Sequence, residues 1–125
     1  MYNDHGFHNF KHASSVATAA NKYLLRISDE ALRQQHFEPL THFGIIFSAL
    51  VHDVGHPGCS NALLVSKNDD LALKYRMRSV AEQNSIDMVW HTFMGDAYKE
   101  LRSAIFTNEQ ELRHFRKLVV HCVIA

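Results

Sequence analysis

The chain lacks most of what would set it apart from an ordinary globular sequence. It has two cysteines, Cys59 and Cys122, far apart in 125 residues and forming no C-x-x-C pair. That argues against a disulfide framework and favours free thiols in a reducing compartment. Thirteen basic residues balance thirteen acidic ones, so there is no positive excess to bind nucleic acid and no charge block to act as a tail. The longest apolar stretch, Phe43 to Val51, has nine residues and includes Ser48, too short to cross a bilayer. No basic segment followed by an apolar one opens the chain, so no secretory signal is read there. A cytoplasmic location is expected, with membrane tethering by regions outside this chain left open. The length supports one domain with a real core. What the chain has in plenty is histidine, ten in all.

Apolar residues recur at helical spacing nearly throughout, and no stretch alternates as a strand would. Phe10, Ala13, Val16-Ala17, Ala20, Leu24 and Ile27 predict one long helix from about Asn9 to Ile27, broken by Ser28-Asp29-Glu30. Pro39 suits the first position of the next helix, whose apolar face (Leu40, Phe43, Ile46-Phe47, Leu50-Val51) runs to His52. Short helices are expected over 60–66 and 69–75. Ser79-Val80-Ala81-Glu82 reads as a capping box opening a helix through Trp90 and on to Met94. A shorter element covers 98–105. Thr107-x-x-Gln110 reads as a second capping box, opening a helix with Leu112, Phe115, Leu118-Val119 and Cys122-Val123 on one face. The fold class is all-α, with about six or seven helices. The last helix keeps its full amphipathic pattern up to Ala125, so the domain is expected to be incomplete at its C-terminus. The Leu112 to Val123 face is then expected to be exposed, making the isolated piece prone to association.

The chemistry concentrates in two histidine groups. His8 and His12 lie one helical turn apart, and His52-Asp53 follows forty residues later, at a helix end where Gly55-His56-Pro57-Gly58 makes a turn. Neutral imidazole suits zinc and related ions, and a carboxylate has two oxygens with which to bridge two ions. On residue type alone, His8 and His12 are equally compatible with flanking a helix start, and Glu82 with a capping role. His5, His36, His42, His91, His114 and His121 are read as surface or core histidines. Phe47, Trp90 and Phe93 are read as core.

Two motifs together carry a resemblance. Phe7-His8-Asn9-x-x-His12-Ala13, followed by Leu50-Val51-His52-Asp53-Val54-x-His56-Pro57-Gly58-x-x-Asn61, resembles the catalytic domain of class I 3′,5′-cyclic-nucleotide phosphodiesterases, members of the HD metal-dependent phosphohydrolases. The flanks agree: Leu71-Ala72-Leu73-x-Tyr75 with Ser79-Val80-Ala81-Glu82, and Leu112 through Ala125, are similar to family segments. The resemblance spans about Phe7 to Ala125, corresponding to the N-terminal portion of a family catalytic domain. Residues 1–125 are thus expected to be a partial catalytic domain that continues beyond the chain end.

The resemblance implies hydrolysis of cAMP and/or cGMP to the 5′-monophosphate in second-messenger signalling. By it, His8 is the general acid. His12, His52 and Asp53 are metal ligands, with Asp53 bridging a zinc-like ion in the first site and magnesium or manganese in the second. His56 and Glu82 act through the water shell of the second ion, and Asn9, Gly58 and Asn61 are structural within the motif. The implied partners are a cyclic nucleotide substrate, the rest of the catalytic domain and regulatory domains outside this chain. Three departures stand out. Gly55 occupies a position that is aspartate in many members, Glu82-Gln83-Asn84-Ser85 replaces Glu-Asn-His-His, and the downstream aspartate ligand has no counterpart before Ala125. The 125 residues alone are therefore expected to be inactive. Two alternatives stay open: another HD phosphohydrolase, or a catalytically degenerate HD module with a binding or regulatory role.

Overall fold

The computed structural model describes residues 1–3, 6–33 and 38–124. His5 and His36 lie outside the described residues. Seven α-helices and no strand occur among the described residues: α1 Phe10–Arg33, α2 Pro39–Val51, α3 Asn61–Ser66, α4 Asp70–Lys74, α5 Val80–Phe93, α6 Lys99–Ile105 and α7 Glu109–Ile124. A single 3₁₀ turn, Asp96–Tyr98, precedes α6. The expected all-α class holds. No described helix is long and apolar enough to cross a membrane.

Local chemistry explains most of the boundaries. The Asn9 carbonyl oxygen Oδ1 accepts the backbone N–H of His12 at 3.0 Å, which caps α1. Pro39 opens α2, where its missing N–H costs nothing. Ser60 and Asp69 cap α3 and α4 through the N–H groups of Leu63 and Leu71.

Three expected helix boundaries or caps need correction. First, α1 is not broken at Ser28-Asp29-Glu30 but continues to Arg33. None of those residues is glycine or proline, and Ser and Asp each cost a helix interior well under about 1 kcal/mol relative to alanine. Second, α5 starts where expected but not by the expected cap. Ser79 has a left-handed backbone (φ 40°) and its side chain makes no capping bond. The N–H of Ala81 goes instead to Asn61 Oδ1 at 3.0 Å, and Asn61 Nδ2 donates to Glu82 Oε2 at 2.9 Å. Third, the cap of α7 sits one residue later than expected. Asn108 Oδ1 accepts from the Glu111 N–H at 2.9 Å, and Glu111 reaches back to the Thr107 N–H at 2.7 Å. Carboxylate beats amide as the acceptor there, so Gln110 is bypassed.

The main core is aromatic. Phe115 on α7 is fully buried, its ring centroid 5.1 Å from Phe106, 5.4 Å from Phe47 and 5.6 Å from Phe43. Phe93 and Val119 complete the buried set, with Trp90 and Leu112 packed against it. The centre of the apolar face of α7, Phe115 and Val119, is therefore buried against α2 and α5, whereas Leu112, Leu118 and Val123 are half-buried and Cys122 is exposed. A smaller core of Leu64, Ala72, Tyr75 and Val80 ties α3 and α4 to the start of α5. Helix α1 packs on α2, which brings His8 and His12 beside the C-terminal end of α2.

Candidate metal centre

The last turn of any helix leaves backbone carbonyls without intrahelical partners. At the end of α2 these are satisfied one by one, and the partners aim the site. The Ala49 carbonyl accepts from His52 Nδ1 at 2.7 Å. The Leu50 carbonyl accepts the Tyr2 hydroxyl, 48 residues away in sequence. The Val51 carbonyl accepts the Val54 N–H, and the Asp53 carbonyl the His56 N–H, each at 3.1 Å. From α5, the buried Ser85 hydroxyl lies 2.7 Å from the Val54 carbonyl. The turn over 52–55 is thus bonded on several sides.

Three histidines converge on one carboxylate oxygen. Asp53 Oδ2 lies 2.8 Å from His8 Nδ1, 3.1 Å from His52 Nε2 and 3.7 Å from His12 Nε2. Asp53 is buried (8% exposed). The His12 and His52 ring centroids are 5.5 Å apart, inside the roughly 8 Å that two ligand bonds to one ion can bridge. Two groups of potential ligands result: His12, His52 and Asp53, and His8, Asp53 and His56, each with ligand atoms within 4.8 Å of one another. They share Asp53.

The tautomer of His52 bears on whether a cation fits. A carbonyl only accepts, so His52 Nδ1 bears the proton given to Ala49. The Nε2 of neutral His52 then turns a lone pair toward Asp53 Oδ2 across 3.1 Å. With the ring neutral, two acceptors face each other at hydrogen-bond distance, and a cation beside them, or a second proton on the ring, removes the repulsion. A histidine whose far nitrogen is held by a backbone carbonyl is the usual arrangement of a metal ligand. The residues present fit a divalent ion.

The remaining expected residues fall around this pair of groups. His8 and His56 stack, centroids 3.7 Å apart and planes within 11°. His56 Nδ1 accepts the Gly58 N–H at 3.0 Å, so in the neutral ring Nε2 carries the proton and is a donor. Gly58 holds φ 77°, a left-handed conformation that suits glycine. Glu82 lies outside both ligand groups, held by Asn61 from α3. Gly55 also has positive φ (65°), and a Cβ there would run into Met88 Sδ. The aspartate common at this position in the resembling family would need Met88 to move.

Tyr2, Asn3 and Ser85 join the site without having been singled out. No motif spacing flags Tyr2 or Asn3, and Ser85 could be noticed only as a departure from a family pattern. Burial first, then the Asp53 charge, pushes the Tyr2 phenol up to about 12, so its hydroxyl stays a donor.

Known proteins resemble the chain along this same stretch. The family model for 3′5′-cyclic nucleotide phosphodiesterase matches residues 7–125. A probable 3′,5′-cyclic-AMP phosphodiesterase, pde-4 of Caenorhabditis elegans, is 32% identical over 99% of this chain and 17% of its own length. Isoform F of the 3′,5′-cyclic-AMP phosphodiesterase of Drosophila melanogaster is 34% identical over 98% of this chain and 17% of its own. The human dual specificity calcium/calmodulin-dependent 3′,5′-cyclic nucleotide phosphodiesterase 1C is 32% identical over 95% and 16%. The chain spans about one sixth of the length of these curated relatives. In fold, it superimposes on the crystal structure of the phosphodiesterase domain of the RhoPDE fusion protein from the choanoflagellate Salpingoeca rosetta with a TM-score of 0.81, at 24% identity, covering 98% of this chain and 36% of that one.

Proposed function

Because this chain belongs to the 3′,5′-cyclic nucleotide phosphodiesterase family, we propose that the protein of which it forms part hydrolyses cAMP, cGMP or both to the nucleoside 5′-monophosphate, inside the cell and in second-messenger signalling. The observation that carries the proposal is the gathering of His12, His52 and Asp53, side chains that could hold a metal ion, beside His8 and His56. His12, His52 and Asp53 would hold a zinc-like ion. Asp53 would extend to a magnesium or manganese ion, with His56 and Glu82 acting through its water. Bound divalent ions supply the positive charge that polarises a phosphodiester and makes water easier to deprotonate.

The chain's own residues account for the proton and the placement. Water adds to phosphorus as the bond to the 3′ oxygen breaks, and that oxygen needs a proton. The Asp53 carboxylate accepts His8 Nδ1–H, fixing the ring and leaving Nε2 as the nitrogen that hands a proton to the leaving oxygen. His56, stacked on His8 and donating through Nε2, is suited to orient water rather than to ligate. Asn9 sets the start of α1 and with it the His8–His12 spacing, Asn61 anchors Glu82, and Gly58 provides the donor that fixes the His56 tautomer.

The catalytic domain is proposed to continue beyond residue 125, since the chain covers 36% of the neighbouring phosphodiesterase structure. An apolar groove of about 1300 Å³, lined by Tyr2, Phe43, Leu50, Val89, Phe93 and Ile105 among others, is the surface on which we place the remaining helices. Residues 1–125 alone should then bind metal weakly and turn over little. The test is to load the full-length protein and the 125-residue piece with zinc and magnesium, assay both cyclic nucleotides, and repeat after chelation. Metal-dependent hydrolysis by the full-length protein alone is expected. Full activity in the short piece would overturn the partial-domain reading, and zinc-loaded full-length protein with no hydrolysis would favour a degenerate binding module. That second reading draws on Ser85, whose buried hydroxyl is shared between the Val54 and Ala81 carbonyls where the family pattern has histidine.

A further inference from the structure

The segment Met1-Tyr2-Asn3 lies ahead of the stretch that the family model matches, and it bonds along the metal-binding turn at three places. The Met1 carbonyl accepts the Gly55 N–H at 3.0 Å. The Tyr2 hydroxyl donates to the Leu50 carbonyl. Asn3 Nδ2 donates to the His56 carbonyl at 3.1 Å. The three partners bracket His52 and Asp53, and the Tyr2 ring is seated edge-to-face on Phe10 of α1, centroids 6.0 Å apart. The segment therefore bridges α1, which carries His12, and the C-terminal end of α2, which His52 caps.

We propose that Met1-Tyr2-Asn3 is a positioning strap for the metal-binding turn, with the Tyr2 hydroxyl as the positioning group. Its role follows from the carbonyl that it occupies. The Val54 N–H is given to Val51, so the Leu50 carbonyl depends on Tyr2 for a donor. The adjacent Ala49 carbonyl holds His52 Nδ1 and so sets the direction of Nε2. Without the phenol, the Leu50 carbonyl must turn toward water, and the next peptide units, which carry His52 and Asp53, turn with it. Loss of a group that orients a metal ligand typically costs about 10–100-fold in metal affinity.

The inference rests on the metal-centre reading above, and the test separates the two. Zn²⁺ affinity is measured for the full-length protein by competition with a chromophoric chelator, for wild type, Tyr2→Phe and Tyr2→Leu. Tyr2→Phe keeps the ring on Phe10 and removes only the hydroxyl. It is expected to weaken Zn²⁺ binding by about 10–100-fold, with KM unchanged and kcat restored at saturating zinc. Tyr2→Leu should weaken Zn²⁺ binding by a similar factor. Wild-type affinity in Tyr2→Phe would overturn the strap, whether or not Tyr2→Leu folds, because it would leave the ring as packing alone. No Zn²⁺ binding by wild type would overturn the metal centre itself.

Discussion

Asp53 and Phe115 are both buried and both sit where α2 meets other helices, yet they are held by opposite physics. Phe115 is surrounded by the rings of Phe43, Phe47, Phe93 and Phe106 at 5.1–6.3 Å, a non-directional packing in which volume matters more than the identity of any single neighbour. Asp53 is surrounded by imidazole nitrogens, each approaching its carboxylate from a fixed direction. The aromatic cluster supplies stability and would accept substitutes of similar size. The polar cluster supplies little stability without a cation and would accept almost none. The aromatic core and the candidate ligands thus meet α2 at different places along it, the core at Phe43 and Phe47 and the ligands past Val51.

The strongest way to break the comparison is to exchange the consequences of the two sites. Asp53→Ala in the full-length protein should abolish metal retention and hydrolysis together. His8→Ala should keep the metal and lower turnover by about 10²–10⁴-fold, the usual worth of a general acid. Metal analysis beside steady-state kinetics checks both, and equal metal loss in the two variants would show the roles to be misassigned. Phe115→Ala should do the reverse. It removes a fully buried ring at a cost of about 3–5 kcal/mol in stability, read by chemical denaturation, while the folded fraction keeps its zinc. The metal-free unfolding midpoint of Asp53→Ala should move less than that of Phe115→Ala.

The same division decides what could be read from sequence. The grouping of His12 with His52 and Asp53 is legible because residue types that suit a metal are few and two short motifs concentrate them. The aromatic core was legible because apolar spacing on α2, α5 and α7 names one face of each. The caps were less so. Ser79 has the right residue type to cap α5, but Asn61 takes the role from twenty residues away, and no local pattern reports a tertiary bond. Tyr2 is hidden for the same reason, its partner lying 48 residues off. The run Ser28-Asp29-Glu30 reads as a break, yet α1 passes through it, because polar residues weaken a helix without ending it.

Gly55 offers a finer cut, because it lies in the polar region but is constrained by space and backbone. Its φ of 65° disfavours any residue with a Cβ by about 1–2 kcal/mol, and Met88 Sδ fills the room that the Cβ would need. Gly55→Asp should therefore destabilise the chain by more than that backbone cost. The double variant with Met88→Ala should recover the steric part and leave the backbone part. Thermal unfolding of the two variants separates the terms, and an undiminished penalty in the double variant would place the cost elsewhere than at Met88.

The smallest expected effect is at Asn61, where the two kinds of stabilisation meet. Its Oδ1 caps α5 through the Ala81 N–H, a bond worth about 0.5–2 kcal/mol when replaced by alanine. Its Nδ2 holds Glu82, the residue proposed for the second ion's water shell. Asn61→Ala removes both functions, so modest destabilisation and weaker magnesium dependence should appear together. Asn61→Asp keeps an oxygen for the cap but turns a carboxylate toward Glu82, which like charges oppose. It should hold most of the stability and still weaken the magnesium response. A magnesium titration of activity beside a denaturation curve resolves the two. If Asn61→Asp left the magnesium response at its wild-type value, Glu82 would belong with the caps rather than with the metal.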